Sequence, residues 1–187
     1  MQSSKFFLPL IFCGLSGLAQ YVLIDTPGYL LSNATDQLVF STLIGVIVLL
    51  IADIVNERYG FLVTLRMVTF GALTQGIVVF AAHVFGVDVP PALAVLGLSG
   101  VLCGDIADAG VYALMRKRNG ERLLSLRTFA SNTTGIIFEC AILLLVVPSF
   151  GLLAPQFIWK FIASLVCIPL IGVIHKRSIS IQYRKMV

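Results

Sequence analysis

The stretch Leu50–Gly60, with the sequence LIADIVNERYG, decides the fold of this chain. An apolar run that begins at Leu38 ends here in two acids, an amide, an arginine and a tyrosine, and a second apolar run follows at once. A loop of a soluble protein has no reason to have this composition. In a bilayer the pattern is typical of a helix whose inner end carries ionisable groups, which are costly there and therefore usually functional.

The composition of the whole chain indicates a membrane protein. Of its 187 residues 58% are hydrophobic and only 12% are charged. In soluble domains about a quarter of the residues are charged. The formal net charge of +4 would suggest a nucleic-acid partner in a soluble chain. Here the basic residues lie between apolar runs, where membrane topology explains them better, so no nucleic acid is expected as a partner.

Six apolar segments follow one another, each near the ~20 residues that span a hydrocarbon core of about 30 Å. They are Phe6–Ile24, Leu38–Val55, Phe61–Phe85, Ala92–Met115, Phe129–Phe150 and Gln156–His175. The sequence therefore predicts an all-α polytopic membrane protein, a single domain of residues 1–187 built as a bundle of six transmembrane helices. An alternative for the first segment is a secretory signal, with Lys5 before the apolar stretch and small residues at Ser16–Ala19, although its apolar core is long for that.

The basic residues predict the orientation of the bundle. If the segments alternate, every lysine and arginine except Lys160 falls on one side. These residues are Lys5, Arg58, Arg66, Arg116, Lys117, Arg118, Arg122, Arg127, Lys176, Arg177, Arg184 and Lys185. The connections on the other side, residues 25–37, 86–91 and 151–155, carry none. By the positive-inside rule both termini are expected in the cytoplasm.

The few ionisable groups inside the apolar segments are the candidate site residues. A central charge is disfavoured by about 2.5–3.5 kcal/mol on insertion scales, so several acids need an explanation that packing does not supply. The candidate substrate-binding residues are Asp53, Asp105, Asp108, Asn132, Glu139, Lys160 and Trp159. Asp105 and Asp108 are three residues apart and share a helix face, and Asn132 and Glu139, two turns apart, share another. We expect these faces to turn toward a common cavity.

Such a cavity suits a ligand rich in N–H donors, a proton relay, or both. Aromatic side chains near the acids, Tyr112, Phe138 and Trp159, can stack on a flat heterocycle, but Trp159 is equally well explained as an interfacial anchor. A second interpretation is that the acids are satisfied by Lys160, Arg66 and backbone groups and serve assembly only. A structural protein of that kind would tolerate their neutralisation.

Neither a metal site nor an enzyme is indicated by the sequence. The four cysteines lie in apolar runs at unrelated spacings, as small buried hydrophobes do, and no CxxC or HxxxH spacing occurs. No cofactor is expected. The two histidines, His83 and His175, belong to opposite membrane faces, and no nucleophile–base pair is evident. A P-loop sequence GxxxxGK[ST] is missing, so this chain does not hydrolyse ATP by that route.

Three stretches resemble the queuosine-precursor transporters, also called the vitamin uptake transporter family. The sequence DIVNERYG at Asp53–Gly60 resembles the family's Asp-x-x-x-Glu-x-Tyr-Gly, with Arg66 following. A longer match runs from DAGVY at Asp108 through the basic loop to Arg127-x-x-x-Ser131, Gly135 and an acid at Glu139. The last is Lys160 followed by Pro169. Glu139 and Asn132 stand where the family usually has aspartate and threonine.

The resemblance implies a six-helix, multi-pass importer in the cell inner membrane. Its substrates would be 7-deazaguanine compounds such as 7-cyano-7-deazaguanine or 7-aminomethyl-7-deazaguanine, used to make queuosine in tRNA. The cytoplasmic motif residues Asn56, Glu57, Arg66 and Arg127 are candidates for an inner gate. The expected partners are the deazapurine and the lipid bilayer. The sequence is also compatible with a homo-oligomer. An alternative function is that of a substrate-binding subunit of an ATP-driven vitamin or nucleobase importer, which needs an ATPase partner.

Overall fold

The computed structural model describes residues 4–24, 34–87, 89, 96–119 and 123–146, and residues 157–158, 160–162, 164–166, 168–169 and 172–173 of the last segment. These residues form the helices α1 (Ser4–Ile24), α2 (Ala34–Tyr59), α3 (Phe61–Val84), α4 (Val101–Asn119) and α5 (Leu124–Val146), with a π-helical turn, Leu96–Gly100, before α4. The helical residues of the last segment follow. No strand occurs in the described part of the chain, which confirms the all-α prediction.

The second helix extends further than its apolar run. It ends at Tyr59 instead of Val55, so the sequence DIVNERY is helical throughout and its polar side chains project from regular helix positions. Gly60 has a φ of 85°, in the left-handed region that favours glycine, and α3 begins one residue later. The Gly60 N–H donates to the Asn56 carbonyl at 3.0 Å. A single glycine therefore separates two long helices.

The described residues place large apolar side chains on the outside of the molecule and charged side chains in its interior. Large apolar side chains on the outer faces of α1 and α3 are strongly exposed, for example Leu10 at 70% and Phe80 at 69%. Charged and amide groups such as Asp53, Arg127 and Asn132 are buried. A soluble protein has the opposite arrangement, whereas a bundle in lipid buries its costly groups among its own helices. By length and apolar composition, the described helices Phe61–Val84 and Leu98–Arg118 can cross a membrane, and a shorter apolar helix covers Phe7–Val22.

The helices pack as two groups. Helix α1 lies against α2 and α3, and α4 lies against α5, with further contacts from α4 to α2 and α3. The apolar core belongs to the first group and contains Phe12, Val22, Ile44, Val48, Ile51, Ala52, Val55, Met67 and Val68. The polar residues described below lie mainly in the second group and on the side of α2 that faces it. The prediction of one domain over residues 1–187 stays a prediction.

Candidate functional site

Two glycines bring the polar faces of α4 and α5 together. A Cβ atom on Gly104 would lie 2.9 Å from the Gly135 carbonyl oxygen, and a Cβ atom on Gly135 would lie 3.0 Å from the Gly104 carbonyl oxygen. The Cβ of Asp108 is equally close to the second position, at 3.0 Å. Only residues without a side chain permit this backbone approach. It sets the polar groups of one helix directly against those of the other.

Asn132 links two carboxyl groups from different helices. Its amide nitrogen donates to Asp108 Oδ1 at 3.0 Å and to Asp53 Oδ2 at 3.3 Å, and its oxygen accepts from Ser164 Oγ at 3.0 Å. The opposite orientation of the amide would turn its oxygen toward both carboxyl groups, so the hydrogen-bond network determines the assignment. All four side chains are buried. One amide therefore connects α2, α4, α5 and the last segment.

A second contact joins α5 to the last segment. Lys160 Nζ donates to Glu139 Oε1 as an ion pair, and both side chains are largely buried. Asp105 is buried close enough to interact electrostatically with Glu139, Asp108 and Lys160. These groups form one region, which we call the acid cluster. Its members are Asp53, Asp105, Asp108, Asn132, Glu139, Lys160 and Ser164.

At the end of α2 a different network surrounds the carboxylate of Glu57. The Tyr112 hydroxyl donates to Glu57 Oε2 at 2.8 Å, and Arg127 Nη2 donates to the same oxygen at 3.3 Å. Arg116 Nε lies 3.9 Å from it. The Arg127 guanidinium also stacks on the Tyr112 ring, 5.2 Å from its centroid, where a cation is attracted to the π-electrons. Both of these side chains are completely buried.

Asn56 completes this network through backbone groups. Its side-chain nitrogen donates to the Ala109 carbonyl at 3.0 Å, and its own carbonyl accepts from Arg116 Nη1 at 3.0 Å. We call Asn56, Glu57, Tyr112, Arg116 and Arg127 the helix-end cluster. It ties the ends of α2 and α4 to the start of α5, which requires these three helix ends to lie on one side of the bundle.

The part of the chain that contains both clusters also matches a known protein family. Residues 39–174 match the family model described as "Putative vitamin uptake transporter". The chain belongs to this family. No curated protein and no solved structure matches the sequence. The matched range of this vitamin uptake transporter contains every residue of the acid cluster and of the helix-end cluster, and a transporter family agrees with the prediction that the chain is not an enzyme.

The structure brings most of the predicted substrate-binding residues of the transporter together. The four acids, Asn132 and Lys160 all lie in the acid cluster. Trp159 lies outside the described residues. The aromatic side chains that the sequence offered as stacking partners lie elsewhere, since Phe138 is half exposed and Tyr112 binds Glu57.

Three of the four predicted gate residues, Asn56, Glu57 and Arg127, meet in the helix-end cluster. Arg66 does not join them. It is exposed one turn inside α3, and in the described part of the chain it forms no ion pair with Glu57. Its place in an inner gate stays a prediction.

The sequence reasoning missed the roles of Tyr112, Arg116 and Ser164. A usable signal was present in the spacing, because Tyr112 and Arg116 follow Asp108 at successive intervals of four residues, and Ser164 follows Lys160 at the same interval. Residues four apart share a helix face, so a search along the faces of the known acids would have found all three.

The acid cluster is suited to accepting hydrogen bonds from N–H groups. Carboxylate and amide oxygens are acceptors, and Lys160 supplies three donors that are drawn toward Glu139. In the described part of the chain no three His, Cys, Asp or Glu side chains are arranged to hold a metal ion. The geometry therefore favours recognition of a donor-bearing guest by hydrogen bonds.

Proposed function

We propose that this vitamin uptake transporter imports 7-deazaguanine precursors of queuosine, such as 7-cyano-7-deazaguanine or 7-aminomethyl-7-deazaguanine. The proposal depends mainly on the excess of hydrogen-bond acceptors in the acid cluster. Asp53 Oδ1 is buried and has no hydrogen-bond donor among the described residues, although burying an acceptor without a partner is unfavourable by about 1–3 kcal/mol. A guest with N–H groups supplies what the site lacks.

A 7-deazaguanine has the complementary edge. Its ring N–H and exocyclic amine lie side by side and can donate to one carboxylate, while its carbonyl can accept from an amide or an ammonium. Asp108 or Glu139 takes the donor edge in this proposal, and the Lys160 ammonium binds the carbonyl. Asn132 assists by holding the Asp108 and Asp53 carboxyl groups in place. The similarity to queuosine-precursor transporters in the motifs around Asp53 and Asp108 supports the same substrate class.

We also infer that the chain crosses the inner membrane six times with both termini in the cytoplasm. The helix-end cluster supports this topology, because it gathers the ends of α2 and α4 and the start of α5 at one side. That is where alternating spans would place them. The same side carries Arg58 and the basic run Arg116–Arg118, as the positive-inside rule requires for a cytoplasmic surface.

Uptake of labelled precursor tests the substrate, in a strain that cannot make its own. The wild-type protein should restore uptake. Glu139→Gln should lower uptake at low substrate concentration about 10- to 100-fold, the effect of one hydrogen bond to a charged group. Phe138→Leu changes the neighbouring, half-exposed side chain and should keep wild-type uptake. No uptake by the wild type contradicts the substrate, and full uptake by Glu139→Gln removes this residue from the site.

The energy source is tested in the same strain. We propose that the buried carboxyl groups couple import to the proton gradient, as membrane acids do in other transporters. Collapse of the gradient with an uncoupler should then stop accumulation of the precursor. Unchanged accumulation, together with co-purification of an ATPase, would instead identify the chain as the substrate-binding subunit of an ATP-driven importer.

A further inference from the structure

A second group of buried polar side chains lies in the other half of the bundle, away from the acid cluster. Ser16 and Gln20 on α1 are 1% and 2% exposed, and Gln75 on α3 is 4% exposed. Ser16 Oγ, Gln20 Nε2 and Gln75 Oε1 have no hydrogen-bond partner among the described residues. Buried polar atoms nearly always have a partner in folded proteins, so three orphans on two adjacent helices need an explanation.

Ser16 lies in the contact between α1 and α3. Ser16 Oγ lies 3.2 Å from the position of a Cβ on Gly71, and a Cβ on Gly17 would lie 3.0 Å from Thr74 Cγ2. The residue numbers on both helices rise together along this contact. The two helices therefore run side by side in the same direction, with residues 16–17 facing residues 71–74.

The two glutamines continue this contact by one turn. Gln20 lies four residues after Ser16 and Gln75 four residues after Gly71, so each occupies the same face of its helix as the residue before it. Helix α2 reaches the same place, since Ser41 Oγ donates to the Ala19 carbonyl at 3.2 Å. Three helices thus converge on a small region lined by hydroxyl and carboxamide groups, all of them uncharged.

We propose that Ser16, Gln20 and Gln75 form a second binding site on the transport path, which takes the lactam edge of the substrate. Gln20 offers an unused donor and Gln75 an unused acceptor, and a lactam presents the matching pair, a carbonyl beside a ring N–H. The inference rests on the proposed import of a lactam-bearing heterocycle. A charged guest is disfavoured, because the site groups are neutral and buried.

The second site is separate from the acid cluster. A Cβ on Gly76 would lie 3.2 Å from Leu98 Cδ2. Gln75, the residue before Gly76, therefore lies at about the same height in the bundle as the π-helical turn before α4. Asp105 lies seven residues further along that helix, or about 10 Å at 1.5 Å per residue. The guest therefore occupies the two sites in succession. Because the three groups are buried, α1 must move relative to α3 to admit it, a motion of the kind that alternating access requires.

Uptake and stability together test this site, using full-length protein. Gln20→Met and Gln75→Met keep the side-chain length and remove the amide. Each should lower precursor uptake at low concentration about tenfold, the equivalent of one hydrogen bond, without lowering the thermal unfolding midpoint of the ligand-free protein. An analogue without the ring carbonyl should compete less well than the precursor in the wild type, and this preference should shrink in both variants. Thr69→Val is the control, because the exposed Thr69 hydroxyl donates to the Leu65 carbonyl of its own helix.

Any result other than the expected one overturns the inference. A lower unfolding midpoint for the two methionine variants would make the amides a packing contact between α1 and α3. Wild-type uptake by both variants would show that the substrate does not use them, while the proposed function would stand. Failure of the wild-type protein to take up the precursor would instead remove the proposed function and this inference with it.

Discussion

The helix-end cluster and the acid cluster are neighbours along the same three helices, yet their charges are balanced in different ways. In the first, the Glu57 carboxylate meets two guanidinium groups and a phenol. In the second, four carboxyl groups share the Lys160 ammonium, the single cation among the described members, and Asp53 Oδ1 has no donor there. In the first network the guanidinium groups outnumber the carboxylate, and in the second the carboxyl groups outnumber the ammonium.

This difference indicates a division of work. A buried polar network with all its partners makes a unique, rigid arrangement, whereas one with missing partners destabilises the protein. The helix-end cluster, in which Tyr112 and Arg127 both donate to the Glu57 carboxylate, therefore suits the fixation of helix ends. The acid cluster suits a site that a donor-bearing guest completes, at the expense of stability when it is empty. Substitutions in the two clusters should accordingly separate folding from transport.

The largest effect is expected for Arg127→Met in the helix-end cluster. This variant leaves Glu57 without the guanidinium that is completely buried beside it. Removing one partner of a buried ion pair destabilises by about 3–5 kcal/mol, because the other charge stays buried. The yield of folded protein and the thermal unfolding midpoint in detergent should both fall steeply.

A matched control for this prediction is Arg116→Met. Its side chain also lies near Glu57 but is 39% exposed, so water can replace it, and a loss of at most about 1 kcal/mol is expected. Equal midpoints for the two arginine variants would contradict the structural role given to Arg127.

In the acid cluster the expected effect is on transport. Asp108→Asn keeps an oxygen that can accept from Asn132, and it removes one negative charge from a group with an excess of acids. The unfolding midpoint should therefore not fall. Uptake of precursor should fall about 10- to 100-fold, because a neutral amide binds N–H donors more weakly than a carboxylate does. Ser164→Ala, which leaves the four acids in place, should reduce uptake less.

How much of this was accessible from the sequence differs between the fold and the site. The helical segments follow from apolar runs of membrane length, and α1, α2, α3 and α5 begin and end within about five residues of their expected positions. The apolar run ends at Val55 and underestimates the length of α2, because the polar residues that follow it are still helical as far as Tyr59. A helix can continue through such residues when neighbouring helices bind them, as Tyr112 and Arg127 bind Glu57 here.

Which residues belong to the site was easier to predict than how they are arranged in space. The acids were visible as exceptions in an apolar background, but which helix faces meet depends on the close approach of α4 and α5. That approach is decided by Gly104 and Gly135 together, and a single sequence does not show that two glycines 31 positions apart lie opposite each other. Gln20 and Gln75 were overlooked because α1 and α3 carry no acid, whereas Asn132 shares its helix with Glu139.

A smaller effect is expected where the two glycines meet. Gly104→Ala places a methyl group 2.9 Å from the Gly135 carbonyl oxygen, and overpacking of this kind destabilises by about 1–3 kcal/mol. Since the displaced helices carry Asp108 and Asn132, uptake should fall as well. The control is Gly110→Ala on the same helix, where a Cβ meets nothing within 4 Å and the higher helix propensity of alanine adds up to about 1 kcal/mol. Equal stability of the two alanine variants would contradict the close contact.

The smallest effect is expected for Tyr112→Phe in the helix-end cluster. The variant removes the hydroxyl that donates to Glu57 Oε2 at 2.8 Å and keeps the ring beneath the Arg127 guanidinium. Because Arg127 still donates to the same oxygen, only the net value of one hydrogen bond is lost, about 0.5–1.5 kcal/mol. The unfolding midpoint should fall slightly.

Transport by this variant decides what the helix-end cluster does. If the cluster only fixes helix ends, or closes an inner gate that must open in each cycle, a weaker contact does not slow import, and uptake should stay at half of the wild-type value or above. An unchanged midpoint with strongly reduced uptake would be the pattern expected for the acid cluster. It would place Tyr112 on the transport path and remove the distinction between the two networks, since one continuous polar surface would then carry the substrate from Asp53 past Glu57.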